Sequence, residues 1–308
     1  MSRGWSVGLD IGGTKVDGVV LDAASTVRGT VRAATVRGTD GVVACASRVV
    51  RELGAAAGIS PADLTGVGVG VPGLVDPRTG SVSHAVNLGM DLSDVPLGAL
   101  LTTVLDGVPV RVENDVNAAA LGAAHLLGLG ADLAYLALGT GVAAGVVLDG
   151  RLRRGFRGGA GEIGHVPYEP SGPQCACGQR GCLELYASGS TLDAAWPVSP
   201  GLHASHEVFE AAAAGDPRAG GVRDAFVEAV AAAVRLIVLT YDVERVVLGG
   251  GVAQVGEPLL DGVRTVLHRQ ADGSGLLRSL AIADRVVLAP PGAPVAPVGA
   301  ALAVRGRV

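Results

Sequence analysis

The sequence lacks the long apolar run that a membrane span requires. Its longest strongly apolar, uncharged stretch, Leu133 to Leu148, is 16 residues and is broken by Gly139-Thr140-Gly141, short of the ~20 residues of a spanning helix. A basic excess is also missing: 24 Lys and Arg stand against 29 Asp and Glu, for a net charge of −5 and a pI near 5.7. A nucleic-acid surface needs a cationic stripe to neutralise phosphates, so neither a nucleic-acid partner nor a membrane is expected. No charged leader followed by an apolar core and a small-residue cleavage site precedes Val7, which points to the cytoplasm. No low-complexity linker divides the chain, and no P-loop with its terminal Gly-Lys-Ser/Thr occurs. Cysteine is scarce, four in 308 residues, and unevenly placed.

Three of the four cysteines, Cys175, Cys177 and Cys182, fall within eight residues, and His165 stands just upstream in a stretch rich in Gly and Pro. Cys3His is a tetrahedral zinc set, and clustered thiols in a cytosolic setting point to metal rather than disulfides. Four protein ligands leave no open coordination position, so such a metal would be structural and His165 would not be a general base. Glu162 and Glu184 flank the ligands; a metal that ordered this loop would also fix two carboxylates where they could grip hydroxyl groups. The alternatives are buried free thiols and two surface charges on a loop.

A chain of this length divides most simply into two lobes with a cleft, and its abundant Ala and Val suit an α/β core of parallel strands and Ala-rich helices. Val7 to Asp22 reads as two apolar strands joined by Gly12-Gly13-Thr14, a tight turn that exposes backbone N–H groups. Shifted by 127 positions, Leu136 to Asp149 matches it at Leu9/Leu136, Gly12/Gly139 and Gly18 to Asp22 against Gly145 to Asp149. The identities fall at strand and turn positions, which suggests an internal duplication; the alternative is two Gly- and Val-rich hairpins alike by composition.

Helices are predicted over Gly41–Gly58, Leu97–Leu105, Val116–Leu129, Ser205–Gly215, within Asp216–Asp242, over Leu259–Gln270 and over Val298–Val304. Strands are predicted after Gly66, over Val108–Val112, over Glu244–Gly251 and over Arg285–Leu288. Turns fall at Pro72-Gly73 and Asp76 to Gly80. The strand at Val108 runs through Glu113-Asn114-Asp115 into a helix, a junction where α/β sheets place ligand-binding groups; Asp115 could equally be the cap of that helix. Gly249-Gly250-Gly251 is expected to open a helix from Val252 and so to suit a nucleotide phosphate. Arg151, Arg153, Arg154 and Arg157 read as a solvated face, the alternative being a phosphate clamp. The hinge between lobes is placed near Asp115.

Three glycine turns, an acid at a strand-to-helix junction and a metal-braced loop with two carboxylates fit phosphoryl transfer to a sugar. At these residues the sequence resembles the ROK family of repressors, open reading frames and kinases. Its most specific part is the signature from Glu162 to Glu184; Asp10-Ile-Gly-Gly-Thr-Lys15 is similar to the first phosphate segment, Leu138 to Gly141 to the second and Val247 to Gly251 to the adenosine segment. The resemblance implies a duplicated actin-like, ribonuclease-H-like α/β ATPase fold. Residues 1–115 with a C-terminal helix at about 295–308 would form the smaller lobe, and 116–294, with the zinc loop 162–189, the larger. It further implies Asp115 as base, Asn87, Asn114, Asp115, Glu162, His165 and Glu184 as sugar contacts, and His165, Cys175, Cys177 and Cys182 as zinc ligands. Asp10, Gly12, Gly13, Thr14, Lys15, Gly139, Thr140, Gly141, Gly249, Gly250 and Gly251 would bind ATP and Mg2+, and the chain would form a homodimer or higher homo-oligomer.

The expected reaction is in-line transfer of the ATP γ-phosphoryl group to a hexose hydroxyl, the 6-OH of glucose first, with Asp10 holding hydrated Mg2+. The alternative is a sugar-binding sensor of the same family with little kinase activity. Two departures from the family pattern stand out. Ala143-Ala144 replace glycines and would be strained at positive φ, and Met90 replaces an aromatic residue.

Overall fold

The computed structural model describes residues 4–90, 94–130, 132–198 and 203–306. The chain begins with three antiparallel strands, β1 (Trp5–Ile11), β2 (Lys15–Leu21) and β3 (Val27–Ala34), then α1 (Thr39–Ala57) and β4 (Leu64–Val71). A small hairpin, β5 (Leu74–Asp76) and β6 (Ser81–Ser83), precedes α2 (Leu97–Val104), β7 (Val110–Asn114) and α3 (Asp115–Leu126). The pattern then recurs with β8 (Leu133–Leu138), β9 (Val142–Leu148) and β10 (Arg151–Leu152). Four helices follow: α4 (Glu184–Ala187), α5 (Gly189–Ala195), α6 (Ala204–Ala213) and α7 (Pro217–Tyr241). The chain ends with β11 (Arg245–Gly249), α8 (Glu257–Asp272), α9 (Gly275–Leu280), β12 (Val286–Leu288) and α10 (Val295–Ala303).

The first sheet has the order β3-β2-β1-β4-β7 and the second β10-β9-β8-β11-β12. In both, three consecutive strands fold back and the first then takes a later strand as its neighbour, parallel to it. The repeat glimpsed in the two glycine hairpins is therefore a repeat of sheet topology. Strands buried on both faces read as near-continuous Val and Leu, and Val7, Leu9, Ile11, Val67, Val69, Val71 and Leu136 are fully buried. By contrast β3 alternates exposed and partly buried positions along its length, as an edge strand does.

By compactness the chain divides into one unit of Met1–Ala131, Gly145–Ala160 and Gly292–Val308, and a second of Asp132–Ala144 and Gly161–Pro291. The helix after Asp115 stays with the first unit, where α3 packs against α10. A Cβ at Gly299 would lie 1.7 Å from the Ala118 carbonyl oxygen and one at Gly122 1.8 Å from that of Val295, so these two helices meet backbone to backbone. The second unit is built on α7, which Asp216 caps by accepting from Arg218 N and Ala219 N and which ends at Asp242 in the left-handed region. Its Phe226, Val230, Val234 and Ile237 are buried at the predicted helical spacing.

Two expectations need correcting. β7 extends to Asn114 because Val71 of β4 pairs with Asn114, so Glu113 and Asn114 belong to the strand and the helix begins at Asp115. The helix expected from Val252 is a single 3-10 turn, Val252–Val255, ended by Gly256 at φ 79°; α8 starts afresh at Glu257. Four residues give no helix dipole worth the name, which removes the helix-end argument for Gly249 to Gly251.

Candidate functional site

In the first unit, the end of β1 and the start of α3 bring two acids together. Asp10 pairs in register with Gly70 of β4, and a Cβ at Gly70 would lie 3.5 Å from the Cα of Asp115. The carboxyl of Asp10 is pushed up to about 7 by burial, then by repulsion from Asp115 and Asp17, with Lys15 opposing. Lys15 Nζ is 3.2 Å from Asp17. Acids gathered in this way, with a weak local counter-charge, are a setting for a cation.

Asn114, not Asp115, is the helix cap: its Oδ1 accepts from Val116 N (3.0 Å) and Asn117 N (3.1 Å), and its Nδ2 donates to Gly73 O (3.2 Å). Asp115 Oδ1 accepts from Val116 N at 2.9 Å. The turn at Gly12, Gly13 and Thr14 is pinned by Gly12 N donating to Lys15 O (2.9 Å) and Thr35 Oγ1 to Gly12 O (2.6 Å). A Cβ on Gly13 would lie 2.9 Å from Asn87 O, so the turn and exposed Asn87 sit against each other. Met90 is 3 % exposed within the core; burial, not a site contact, accounts for its side chain. Asp91 and Leu92 lie outside the described residues.

In the second unit, the turn of Gly139, Thr140 and Gly141 is closed by Gly139 N donating to Gly141 O (3.1 Å) and held by Gly189 N donating to Gly139 O (2.7 Å). Gly141 faces Glu184, whose Oε2 would lie 2.9 Å from a Cβ there. Ala143 and Ala144 lie in β9 and are not among the residues of positive φ, so the anticipated strain does not arise. Gly249 packs on the Tyr135 ring and Gly250, at φ 85°, donates to the Tyr135 hydroxyl at 3.2 Å; a Cβ on Gly251 would meet only open space.

The donor atoms of His165, Cys175, Cys177 and Cys182 all lie within 4.8 Å of one another and could hold a metal ion. Cys177 Sγ is 3.6 Å from Cys182 Sγ, and Cys175 Sγ is 3.9 Å from His165 Nδ1. Burial, then the neighbouring thiols, pushes Cys182 up to about 12, whereas the backbone and side-chain N–H groups of Gln179 bring Cys177 down to about 7. Glu184 Oε1 accepts from Cys175 Sγ (3.3 Å) and lies 3.6 Å from His165 Nδ1. The same carboxylate therefore touches both the thiol cluster and the turn at Gly141. Glu162 is exposed immediately before the 3-10 turn Ile163–His165.

Sequence reading missed Glu113, only 2 % exposed, and misassigned Arg154. That arginine is not on a solvated face: its Nε and Nη2 each stand 2.7 Å from Glu113 Oε2. The available signal was weak, since Val110-Arg111-Val112-Glu113 alternates apolar and charged residues as a half-exposed strand does.

Residues 6–305 match the ROK family. The chain is 34% identical over 300 residues to a glucokinase of Halalkalibacterium halodurans, covering 89% of this chain and 90% of that one. It is 34% identical over 257 residues to an N-acetylmannosamine kinase of Yersinia pseudotuberculosis, covering 81% and 83%. The structure of a ROK family glucokinase from Streptomyces griseus in complex with glucose and AMPPNP superposes with a TM-score of 0.80 at 31% identity, over 98% of this chain and 100% of that chain. The repeated sheets are thus those of the actin-like ATPase fold, and the chain belongs to the ROK family.

Proposed function

We propose that the protein is a cytoplasmic, ATP-dependent sugar kinase that transfers the γ-phosphoryl group to a hexose hydroxyl, the 6-OH of glucose first. The observation that carries this reading is the pair of acids in the first unit, Asp10 at the end of β1 and Asp115 at the first position of α3, in a chain with kinase relatives. Asp115 would orient the sugar hydroxyl and take its proton, with Asn114 holding the junction and Asn87, Glu162, His165 and Glu184 contacting the other hydroxyls. Transfer of this kind has a loose transition state, so alignment and charge neutralisation matter more than base strength. Asp10 fits a divalent cation, being an acid that burial and two neighbouring carboxylates keep from ionising on its own; Mg2+ there would neutralise phosphate charge. The turns at Gly12 to Lys15, Gly139 to Gly141 and Gly249 to Gly251 would receive the nucleotide through backbone N–H groups.

For the loop metal we propose zinc. A ZnS3N tetrahedron with ordinary bond lengths has edges of about 3.6–3.8 Å, and the four donors lie within 4.8 Å of one another, two of the separations being 3.6 and 3.9 Å. With four protein ligands it would brace the loop and leave the chemistry to the side chains. The assembly we propose is a homodimer, checked by light scattering.

The test is ADP release from ATP with glucose, mannose, fructose, N-acetylglucosamine and N-acetylmannosamine, for the wild type and Asp115→Asn. The wild type should turn over glucose fastest, and the variant should bind sugar yet lose ~10²- to 10⁴-fold in turnover. Sugar binding without ADP release by the wild type would favour a sensor, and a near-normal Asp115→Asn would remove Asp115 as base.

A further inference from the structure

Glu113 is an acid buried in β7 beside Val112, and such a carboxylate persists only where its oxygens are all partnered. One oxygen, Oε2, accepts from Arg154 Nε at 2.7 Å, with Nη2 held at ion-pair distance beside it. The other, Oε1, accepts from Asn114 N and Asn117 Nδ2, each at 3.2 Å. Asn114, the cap of α3, and Asn117, in its first turn, bracket Asp115. The carboxylate therefore joins the helix turn that presents Asp115 to a guanidinium from a distant part of the same unit.

Arg154 is itself fixed. Arg153 N donates to Val146 O of β9 at 2.8 Å, and the Arg154 carbonyl accepts from Ala160 N at 3.2 Å, closing the loop 154–160 at its base. Beyond that loop the chain runs directly into Glu162 and His165. We infer that Arg154 is a positioning residue for Asp115, acting through Glu113; this rests on the reading of Asp115 as the base. A buried ion pair contributes little net stability compared with apolar residues of similar volume, so stability alone does not account for one beside the reacting acid. Alignment does, because a displacement of about 1 Å at a reacting group costs on the order of a hundredfold in rate.

The experiment uses the full chain and compares wild type, Arg154→Met and the double variant Glu113→Gln/Arg154→Met. In Arg154→Met, kcat should fall about ten- to a hundredfold, by more than the sugar KM rises, and the melting temperature should drop because Glu113 is left buried and unpaired. The double variant removes that charge; it should recover the melting temperature but not kcat. Wild-type kcat in the double variant, or recovery of kcat in step with stability, would overturn the inference. Hydrogen exchange supplies an arm that needs no substrate. The amides of Val116 and Asn117 should exchange at least tenfold faster in both variants while those of β1 are unchanged, and unaltered exchange at that turn would equally overturn it. A wild type inactive on every sugar would sink the kinase reading and leave the exchange result to decide the role of Arg154.

Discussion

Asp10 shows how one side chain can set function against stability. Its carboxyl titrates near 7 in the folded protein against 3.8 for an ordinary aspartate, through burial and then through Asp115 and Asp17. A raised acid leaves the folded state unpenalised below the unfolded value, where both forms hold the proton. As pH climbs from about 4 to about 7 the unfolded chain releases that proton more readily, and stability is lost across this window. In metal-free buffer Asp10→Asn should therefore melt higher than the wild type at pH 8, by several degrees, with the gap closing toward pH 4. Added Mg2+ should raise the wild-type melting temperature and leave the variant unmoved, while the variant's sugar-dependent turnover collapses. Parallel melting curves from pH 4 to 8 would show that nothing opposes Asp10 ionisation. At this scale the sequence named the acids but not their neighbours. The cysteine cluster and the glycine turns are short-range patterns, whereas Glu113 and Arg154 stand 41 positions apart and no local spacing links them.

Elements meet through specific residues, and the same substitution can act with opposite sign in two helices. At Gly299 in α10 an added Cβ would lie 1.7 Å from Ala118 O, and the listening groove on α3 is backbone that cannot give way by rotating. Gly299→Ala should cost at least ~3 kcal/mol, the upper range for overpacking. Gly220 lies in α7, where a Cβ would meet nothing within 4 Å. Gly220→Ala should instead stabilise by ~0.5–1 kcal/mol through helix propensity. Denaturant melts of both variants test the contrast, and a neutral Gly299→Ala would mean that the two helices are not in backbone contact. Element boundaries followed the same logic of context. The buried strands and long helices were legible from periodicity, because packing and pattern agree there. What failed was decided by neighbours: β4 draws β7 on to Asn114, and Gly256 at φ 79° ends the turn after β11. The three-residue strands β5 and β6 are too short to leave a period.

Across the whole molecule, one topology is written twice and one loop is added. The duplication survives in sequence where the fold tolerates least change, at Gly18 and Gly145 in β2 and β9 and at the turns beside them. The thiol loop has no counterpart between β3 and β4, where the chain instead forms α1. That loop has little apolar content to order it, since Cys177, Gly178, Gln179 and Arg180 are exposed. The proposed metal cross-link from His165 to Cys182 would supply the ordering a core would otherwise provide, since binding energy at such sites is folding energy, on the order of 10 kcal/mol. Elemental analysis should find about one zinc per chain, retained through mild chelation. Stripping the metal with a strong chelator, or Cys177→Ala, should accelerate hydrogen exchange over 163–189 and abolish sugar-dependent turnover, because Glu184 loses the thiol and imidazole it rests against. Amides of β1, β2 and β4 should remain protected, since their sheet draws its core from α1 and α2. A stripped protein with unchanged exchange in the loop would mean that the four donors come together without a metal.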